Sequence, residues 1–168
     1  MSWIKEFKKN ADYRLNESWR MLQIAFEQVE EDWLWERPNG VSNSLGNQLL
    51  HMEGNMCQYL WATLGGHPDK RQRDQEFSAT QGELKPLWKA LEETLKKSKA
   101  VIAAASEDDL LKNYSVQAYD LSGIGLIVHA VEHFSYHTGQ VAFWVKLRKA
   151  QPLGFYKGVN LNQKHDSC

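Results

Sequence analysis

The stretch VEHFSYHTGQV, residues 131–141, carries the most informative pattern in the sequence. It places His133 and His137 four residues apart, and His129 lies one turn further upstream. Histidine is a middling helix former, and an imidazole that is removed from water needs a hydrogen-bonding partner. Because residues i and i+4 of a helix point the same way, three histidines in a nearly uncharged segment indicate a shared polar site.

This stretch belongs to the last of four long segments in which apolar residues recur at helical spacing. The second segment begins near Ser42 or Ser44, both of which are favoured N-cap residues. The four predicted helices cover about residues 4–35, 42–65, 84–105 and 121–149. No segment shows sustained strand alternation, so the pattern predicts an all-α fold, a four-helix bundle, in a single domain over residues 1–168.

Composition and charge exclude several classes of function. The net charge is −1 and no block of Lys or Arg occurs, so nucleic acid is not an expected partner. The N-terminus has no apolar run of signal-peptide length, and no segment approaches the roughly 20 apolar residues of a membrane span. Cys57 and Cys168 form no disulfide framework and no CxxC motif, which favours a cytoplasmic protein with reduced thiols.

Charge is unevenly distributed between the predicted helices. Glu53 is the only ionised residue between Ser42 and Pro68, and Glu132 is the only one between Leu121 and Val145. A solvated helix face is normally charged, so the second and fourth helices are expected in the sheltered middle of the bundle. Each of these helices carries a neutral polar stripe at helical spacing: Ser44, Gln48, His51, Asn55 and Gln58 on one, His129, His133, His137 and Gln140 on the other.

Imidazoles directed at one cavity are suited to a divalent metal ion such as Zn, Ni or Fe. A third histidine from a facing helix completes a tripod and leaves positions open for water or substrate. Spacing alone leaves the pair open between His129/His133 and His133/His137, because the outer two lie roughly 12 Å apart along the axis. The alternative is a set of core histidines hydrogen-bonded to backbone and to each other.

Other metal and thiol sites fit the sequence less well. Phe134 stands where an HExxH metalloprotease has its general-base Glu. The Glu-x-x-His pairs of di-iron bundles are absent from the fourth helix. Cys57 lies roughly 120° around the helix from His51, which places it in the core and not among the ligands.

Five further residues have two interpretations each. Gln140 is either a hydrogen-bond partner of a ligand histidine or of metal-bound water, or an ordinary polar residue. Glu53 and Glu132, each next to a histidine, are candidate proton acceptors, although salt bridges account for them equally simply. Arg71 and Arg73 either meet an anionic substrate at the pocket mouth or belong to a solvated loop.

His51, followed some eighty residues later by HFSYHTGQ, resembles the DinB-like (DinB/YfiT) superfamily of metal-dependent enzymes. In that superfamily the second helix contributes one histidine and an HxxxHxGQ segment contributes two. The resemblance covers nearly the whole chain, including SLGNQLLHMEGNMCQYL, GGHPDKRQRDQEF and GQVAFWVKL, and is greatest to a branch of unknown function. By position it implies that His51, His133 and His137 are the metal ligands. His129 lies outside the motif and is expected in a second shell or in the cavity wall.

The resemblance also implies a four-helix bundle, commonly a homodimer, with Zn, Ni or Fe in a three-His site between helices 2 and 4. The tryptophans of the first helix (Trp3, Trp19, Trp33 and Trp35) offer apolar surface for a dimer or else fill the core of one chain.

The functional expectation is a metal-dependent enzyme. It is either a hydrolase, in which the ion activates water, or a transferase or isomerase, in which it activates a low-molecular-weight thiol cofactor. The thiol route is implied by characterised relatives in the superfamily. The alternative is a non-catalytic metal- or small-ligand-binding bundle, which the lack of an assured general base favours. The substrate, the reaction and the native metal stay open.

Overall fold

The computed structural model describes residues 2–164 and shows a mostly helical chain. His165 and Cys168 lie outside the described residues. The secondary-structure elements are α1 Trp3–Phe26, α2 Leu45–Met56, α3 Arg73–Ser78, α4 Leu84–Ala104, α5 Glu107–Leu111, β1 Asn113–Val116, β2 Tyr119–Ser122 and α6 Gly123–Lys149. The four predicted helices correspond to α1, α2, α4 and α6.

The first helix is shorter than expected. It ends at Phe26, and residues 31–33 form a separate 3₁₀ turn, so the prediction that it reaches Trp35 was wrong. Acidic residues crowd this end and α1 has no basic residue in its last turn, a combination that the negative end of the helix dipole disfavours. The apolar spacing continued past the helix because Trp33, on the turn, is buried in the same core.

The second helix begins as predicted at Ser44. The Ser44 hydroxyl accepts from the Asn47 backbone N–H, and the Asn47 side chain accepts from the Ser44 N–H, which forms a capping box. Beyond α2 the chain continues as a π-helix over Cys57–Leu64. Ten of the twelve residues of α2 are buried, which confirms its sheltered position.

The connector before α6 contains the short helix α5 and an antiparallel hairpin, with Asn113 paired to Ser122 and Val116 to Tyr119. The expectation that no strand occurs was therefore wrong. Four-residue strands are too short to show sustained alternation in a sequence. The two-residue turn between them depends on Gln117, whose φ of 52° is unusual for a residue with a side chain.

The packing order places α2 against both α4 and α6, while α1 packs on α6 and contacts α4. Trp88 of α4 stacks on Trp19 of α1 at 4.6 Å between ring centroids and lies 5.2 Å from the ring of Phe26. We call Trp19, Phe26 and Trp88 the aromatic seam. Among residues 2–164 no helix combines the length and apolarity that a membrane crossing needs.

The tryptophans at the N-terminal end of the chain mostly fill the interior and do not form an apolar surface. Trp33 is buried against Trp144. Trp35 is half-buried and donates its indole N–H to the carbonyl of Gly82. Trp3 alone of the four is largely exposed. The core-filling alternative is therefore the one that this region of the structure supports.

The expectation that the fourth helix is sheltered holds for only one side of α6. Its inner side is buried, but its outer side exposes Val128, Tyr136, Phe143 and Leu147 to between 48% and 67%. Burial against α1 and α2 explains why the inner side of this helix lacks charge, but it does not explain the outer side.

Candidate metal centre

Three histidines from two helices meet in the interior. His51 of α2 and His133 and His137 of α6 each offer a ring nitrogen, and the three nitrogens all lie within 4.8 Å of one another. His51 Nε2 and His133 Nε2 are 3.0 Å apart. His51 and His137 are buried and His133 is half-buried. The His129/His133 alternative, in contrast, does not produce a three-residue cluster among the described residues.

The outer nitrogen of His51 is held by a buried carboxylate. His51 Nδ1 lies 2.8 Å from Glu76 Oε2, closer than its 3.2 Å contact with Arg71 Nη2. Since a carboxylate only accepts, we assign the proton of His51 to Nδ1. Its Nε2 lone pair therefore faces His133 and His137. Arg71 donates from Nε to Glu76 Oε1 at 2.7 Å and from Nη2 to Glu76 Oε2 at 2.8 Å. Burial raises the pKa of Glu76, but hydrogen bonds from Arg71 and His51 outweigh it, so the pKa is below its ordinary value.

A glycine makes room for this carboxylate. A Cβ at position 54 would lie 2.1 Å from Glu76 Oε1, closer than any real contact. Gly54 is one turn after His51 on α2, so the absence of its side chain lets Glu76 of α3 reach the helix surface beside the histidine. Glu76 is itself buried.

The outer nitrogen of His137 is held by two glutamines. Nδ1 lies 2.6 Å from Gln48 Oε1 and 3.0 Å from Gln140 Oε1, and Gln48 Nε2 donates to Gln140 Oε1 at 2.8 Å. Both contacts of Nδ1 are acceptors, so Nδ1 carries the proton and Nε2 is left with its lone pair. Gln140 thus has the first of its two predicted roles, as a partner of His137 and not a detached surface residue.

Burial keeps His133 and His137 neutral. Burial, followed by the neighbouring imidazoles His137, His51 and His129, lowers the pKa of His133 to about 2. Burial, with a further contribution from His51, lowers the pKa of His137 to about 4, against the opposing hydrogen bond to Gln140. Neutral imidazole is the form that binds metal ions. His133 and His137 can therefore bind a metal ion without first being deprotonated.

His129 continues the same row without joining the tripod. Its Nε2 lies 3.2 Å from Asn55 Nδ2, which donates to it, and its ring stacks on Tyr59 at 4.0 Å. Burial lowers the pKa of His129, against the opposing effect of Glu132. We call the facing pairs Gln48–Gln140, His51–His133 and Asn55–His129 the polar seam; their order shows that α2 and α6 are antiparallel.

The two acidic candidates for a proton acceptor lie away from the tripod. Glu53 accepts from Thr94 of α4 at 2.8 Å, and burial raises its pKa despite that hydrogen bond. Glu132 is exposed on the outer side of α6. Neither is among the groups within reach of the three histidine nitrogens, because residues adjacent in a helix differ in direction by about 100°.

The two loop arginines have separate positions. The side chain of Arg71 is only 3% exposed, so the solvated-loop interpretation is wrong for it, and its donors are engaged by Glu76 and Gln58. Arg73 is exposed and lies over the ring of Phe77, 4.8 Å from its centroid. Phe77 in turn packs against His51 at 4.7 Å. Cys57 is half-buried, with a pKa raised by burial, and is not part of the cluster.

Sequence reasoning missed Glu76 and Gly54. Glu76 lies in the polar stretch RQRDQEF, where nothing distinguishes a buried acid from a solvated one. Gly54 interrupts an otherwise good helix, which costs about 1 kcal/mol relative to Ala; an isolated helix glycine is the one signal of a close approach that the sequence contains.

The donor set fits a divalent transition metal. Two of the rings have their tautomers set by groups behind them, the arrangement that orients metal-binding histidines in proteins. One proton shared in the hydrogen bond between His51 Nε2 and His133 Nε2 satisfies both nitrogens. A metal cation bound by the two nitrogens can replace that hydrogen bond. Three imidazoles without a carboxylate ligand suit Zn, Ni or Fe.

The sequence matches a known protein family, and the structure is similar to a solved structure. Residues 2–155 match a family described as a protein of unknown function (DUF1572). No curated protein matches the sequence. The structure is similar to the crystal structure of a DinB-like protein, YjoA from Bacillus subtilis, with a TM-score of 0.62 and 16% identity over 83% of this chain and 90% of that one.

Proposed function

Because the chain belongs to the DUF1572 family, a DinB-like family of unknown function, we propose that it is a metal-dependent enzyme of that fold. In this proposal His51, His133 and His137 hold one divalent ion between the second and fourth helices of a four-helix bundle. Water completes the shell. The reaction is hydrolysis or transfer to a low-molecular-weight thiol.

The observation that carries the proposal is the orientation of the three rings. Buried polar groups need partners, and here the partners of His51 and His137 sit on their outer nitrogens. The inner nitrogens of both rings are thereby directed at the same point as His133.

In this proposal some residues orient the metal-binding histidines and others pack against them. Glu76, fixed by Arg71, orients His51, and Gln48 and Gln140 orient His137. The bound ion supplies a lowered pKa for a water or thiol in its open positions. Phe77 and Tyr136 pack against His51 and His137 and limit the access of bulk water to the rings.

The alternative is a non-catalytic bundle in which the metal stabilises the fold. A specific observation favours it: Glu53 and Glu132, the acidic neighbours of the histidines along the chain, are directed away from the tripod. An enzyme of this design would need a general base other than Glu53 and Glu132.

The first experiment is elemental analysis of protein purified without a polyhistidine tag and without added metal. We expect close to one equivalent of metal in the natural protein and a near-complete loss in His133→Ala. His67→Ala is the matched control, because His67 is exposed and stacks on Trp61 away from the site. Equally negligible metal in all three proteins would leave only the core-histidine interpretation.

The second experiment separates the enzyme from the structural bundle. Metal is removed with a chelator, the Tm of both forms is measured, and the loaded protein is assayed with ester, amide and thiol-conjugation substrates. Turnover that disappears in His133→Ala supports the enzyme. A large fall in Tm on metal removal, together with no turnover and no thiol binding, supports the structural alternative.

A further inference from the structure

A groove lies beside the polar seam, between the outer side of α6 and the loop that precedes α2. Its volume is about 790 Å³, which is within the roughly 300–1,000 Å³ of sites that take small molecules. Tyr136, Phe143 and Leu147 line it from α6, and residues of the 38–43 loop line it from the other side. These three α6 side chains are between 62% and 67% exposed, so the groove offers apolar surface that the chain itself does not cover.

The groove is uncharged. Among its lining residues in the described part of the chain none is acidic or basic, although Asp, Glu, Lys and Arg make up 24% of the sequence. A charged ligand that left water here would find no opposite charge, and such a transfer is costly. The lining therefore selects for an uncharged ligand.

The groove also contains a hydrogen-bond donor that the protein does not use. Gln140 lines the groove and is half-buried. Its Oε1 accepts from His137 Nδ1 and from Gln48 Nε2, whereas its Nε2 makes no hydrogen bond within residues 2–164. The two hydrogens on Nε2 are therefore available to an acceptor such as the carbonyl or hydroxyl oxygen of a ligand.

Gly139 extends the groove to the backbone of α6. Gly139 is a lining residue, and a Cβ added there would meet nothing within 4 Å. Glycine inside a helix is destabilising relative to alanine, and at this position no close contact with the described residues requires it. What the missing side chain provides is open space between Tyr136 and Phe143.

From these observations we infer that the groove binds an uncharged small molecule with an apolar chain and an oxygen acceptor, as in a carboxamide, an ester or an alcohol. The chain packs on Phe143 and Leu147, and the acceptor receives a hydrogen bond from Gln140 Nε2. Because Gln140 also holds His137, the ligand contacts the polar seam through the residue behind that imidazole. This binding requires neither the proposed metal nor the proposed reaction.

The test is displacement of Nile red, an uncharged apolar dye whose fluorescence rises when it leaves water, from the full-length chain. The competitors are octanamide, octanoate and octylammonium, which share an apolar chain and differ in charge. We expect octanamide to displace the dye at about a tenth of the concentration that either charged competitor needs, the difference that one favourable hydrogen bond can make. Chelator-treated protein should behave in the same way, so the outcome is separate from that of the metal analysis.

A filled groove is the first variant. Gly139→Leu places a side chain in the open space, and leucine favours a helix more than glycine does, so the circular dichroism spectrum should be unchanged. We expect Nile red to bind at least about tenfold more weakly, since the added side chain occupies the volume of the ligand. Ser135→Leu is the matched control, because Ser135 is exposed one turn earlier on the same helix and is not a lining residue.

A changed donor is the second variant. Gln140→Glu keeps an oxygen for His137 and Gln48 but replaces the Nε2 donor with a charged acceptor, so the preference should change from octanamide to octylammonium. Three results would overturn the inference: no dye binding by the natural protein, equal displacement by all three competitors, or natural affinity in Gly139→Leu. A dye affinity that falls as the protein concentration rises would also overturn it, because the groove would then be filled by another copy of the chain.

Discussion

The aromatic seam and the polar seam are two interfaces of the same molecule with opposite chemistry. In the aromatic seam Trp19, Phe26 and Trp88 pack α1 against α4 through ring contacts. In the polar seam α2 and α6 face each other through histidines and amides that are paired one to one. Each interface joins two α-helices of the chain, and each removes side chains from water.

The difference concerns which interface stabilises the fold and which contains the groups of the proposed site. Apolar burial contributes about 25 cal/mol per Å², whereas a buried hydrogen bond contributes only about 1 kcal/mol net and leaving it unmade costs more. A row of buried imidazoles and amides is thus a poor way to stabilise an interface. Its presence next to an apolar interface is the reason why we assign the proposed metal site to the polar seam.

The largest expected effect breaks the aromatic seam. Trp88→Ala removes both ring contacts, and Trp→Ala substitutions cost about 3–5 kcal/mol in a core; Trp88 is only partly buried, so we expect about 3 kcal/mol. Thermal unfolding should show a fall in Tm of roughly 6–12 °C, with metal stoichiometry unchanged in the folded protein. Trp3→Ala is the control, because Trp3 is 48% exposed and its loss should leave Tm nearly unchanged.

The second-largest expected effect is a loss of metal affinity when Glu76, the partner of the outer nitrogen of His51, is changed. Glu76→Gln removes the charge that orients His51, and loss of such an outer partner typically weakens metal binding by about 10–100-fold. Gly54→Ala should act in the same direction by displacing the Glu76 carboxylate. Titration with a competing chelator measures both. An affinity unchanged in both variants would show that His51 needs no carboxylate for binding.

The pH dependence of the stability of metal-free protein distinguishes the polar seam, which contains titratable histidines, from the aromatic seam, which contains only Trp and Phe. The folded-state pKa values of His133 and His137, about 2 and about 4, lie below the ordinary value of 6.5, so the unfolded chain binds protons that the folded one excludes. The free energy of unfolding of metal-free protein should therefore fall as pH drops below about 6.5, by at most about 1.4 kcal/mol per pH unit for each histidine.

Glu76, whose pKa is lowered, loses its own stabilising contribution only below its ordinary value of 4.5. The window between pH 4.5 and 6.5 therefore reports on the histidines, His129 among them, and on Glu53, whose raised pKa acts in the opposite direction. Denaturant unfolding of metal-free protein across this window should show a flatter slope in the double variant His133→Gln, His137→Gln than in the natural chain. The same slope in both proteins would mean that these rings are protonated in the folded state.

The smallest expected effect concerns Glu53, at the edge of the polar seam. Burial raises the pKa of Glu53, so the folded state disfavours the ionised form, and this penalty is present at neutral pH. Glu53→Gln removes the charge and still accepts from Thr94. We expect Tm at pH 7.5 to rise by about 2 °C, an effect of under about 1 kcal/mol, with metal affinity unchanged. A fall in metal affinity would place Glu53 in the site after all.

The sequence was informative wherever periodicity and side-chain chemistry coincide. The Ser44 cap and the extents of α4 and α6 follow from local spacing, because each depends on residues within one helix. Spacing left the histidine pair open between His129/His133 and His133/His137. The DinB-like resemblance selected His133 and His137 and added His51, and the structure brings these three together. Metal binding itself stays a proposal.

The failures have a common cause. The premature end of α1, the short hairpin and the exposed side of α6 all depend on which surfaces meet, and a pattern of apolar residues does not show whether they cover a core or remain exposed. Arg71 illustrates the same point in a polar segment: its burial follows from the position of Glu76 and is invisible in the stretch around it.

By itself the sequence determined that this chain is helical and that two nearly uncharged helices carry facing polar stripes. It also determined that neighbouring histidines of α6 point in one direction, because helical repeat and side-chain chemistry are local properties. Only the tertiary structure decided which groups stand behind those histidines. Glu76 comes from a loop helix, enters through the space left by Gly54 and is neutralised by Arg71. Such a contact depends on distances between separate elements, and these arise only when the chain packs.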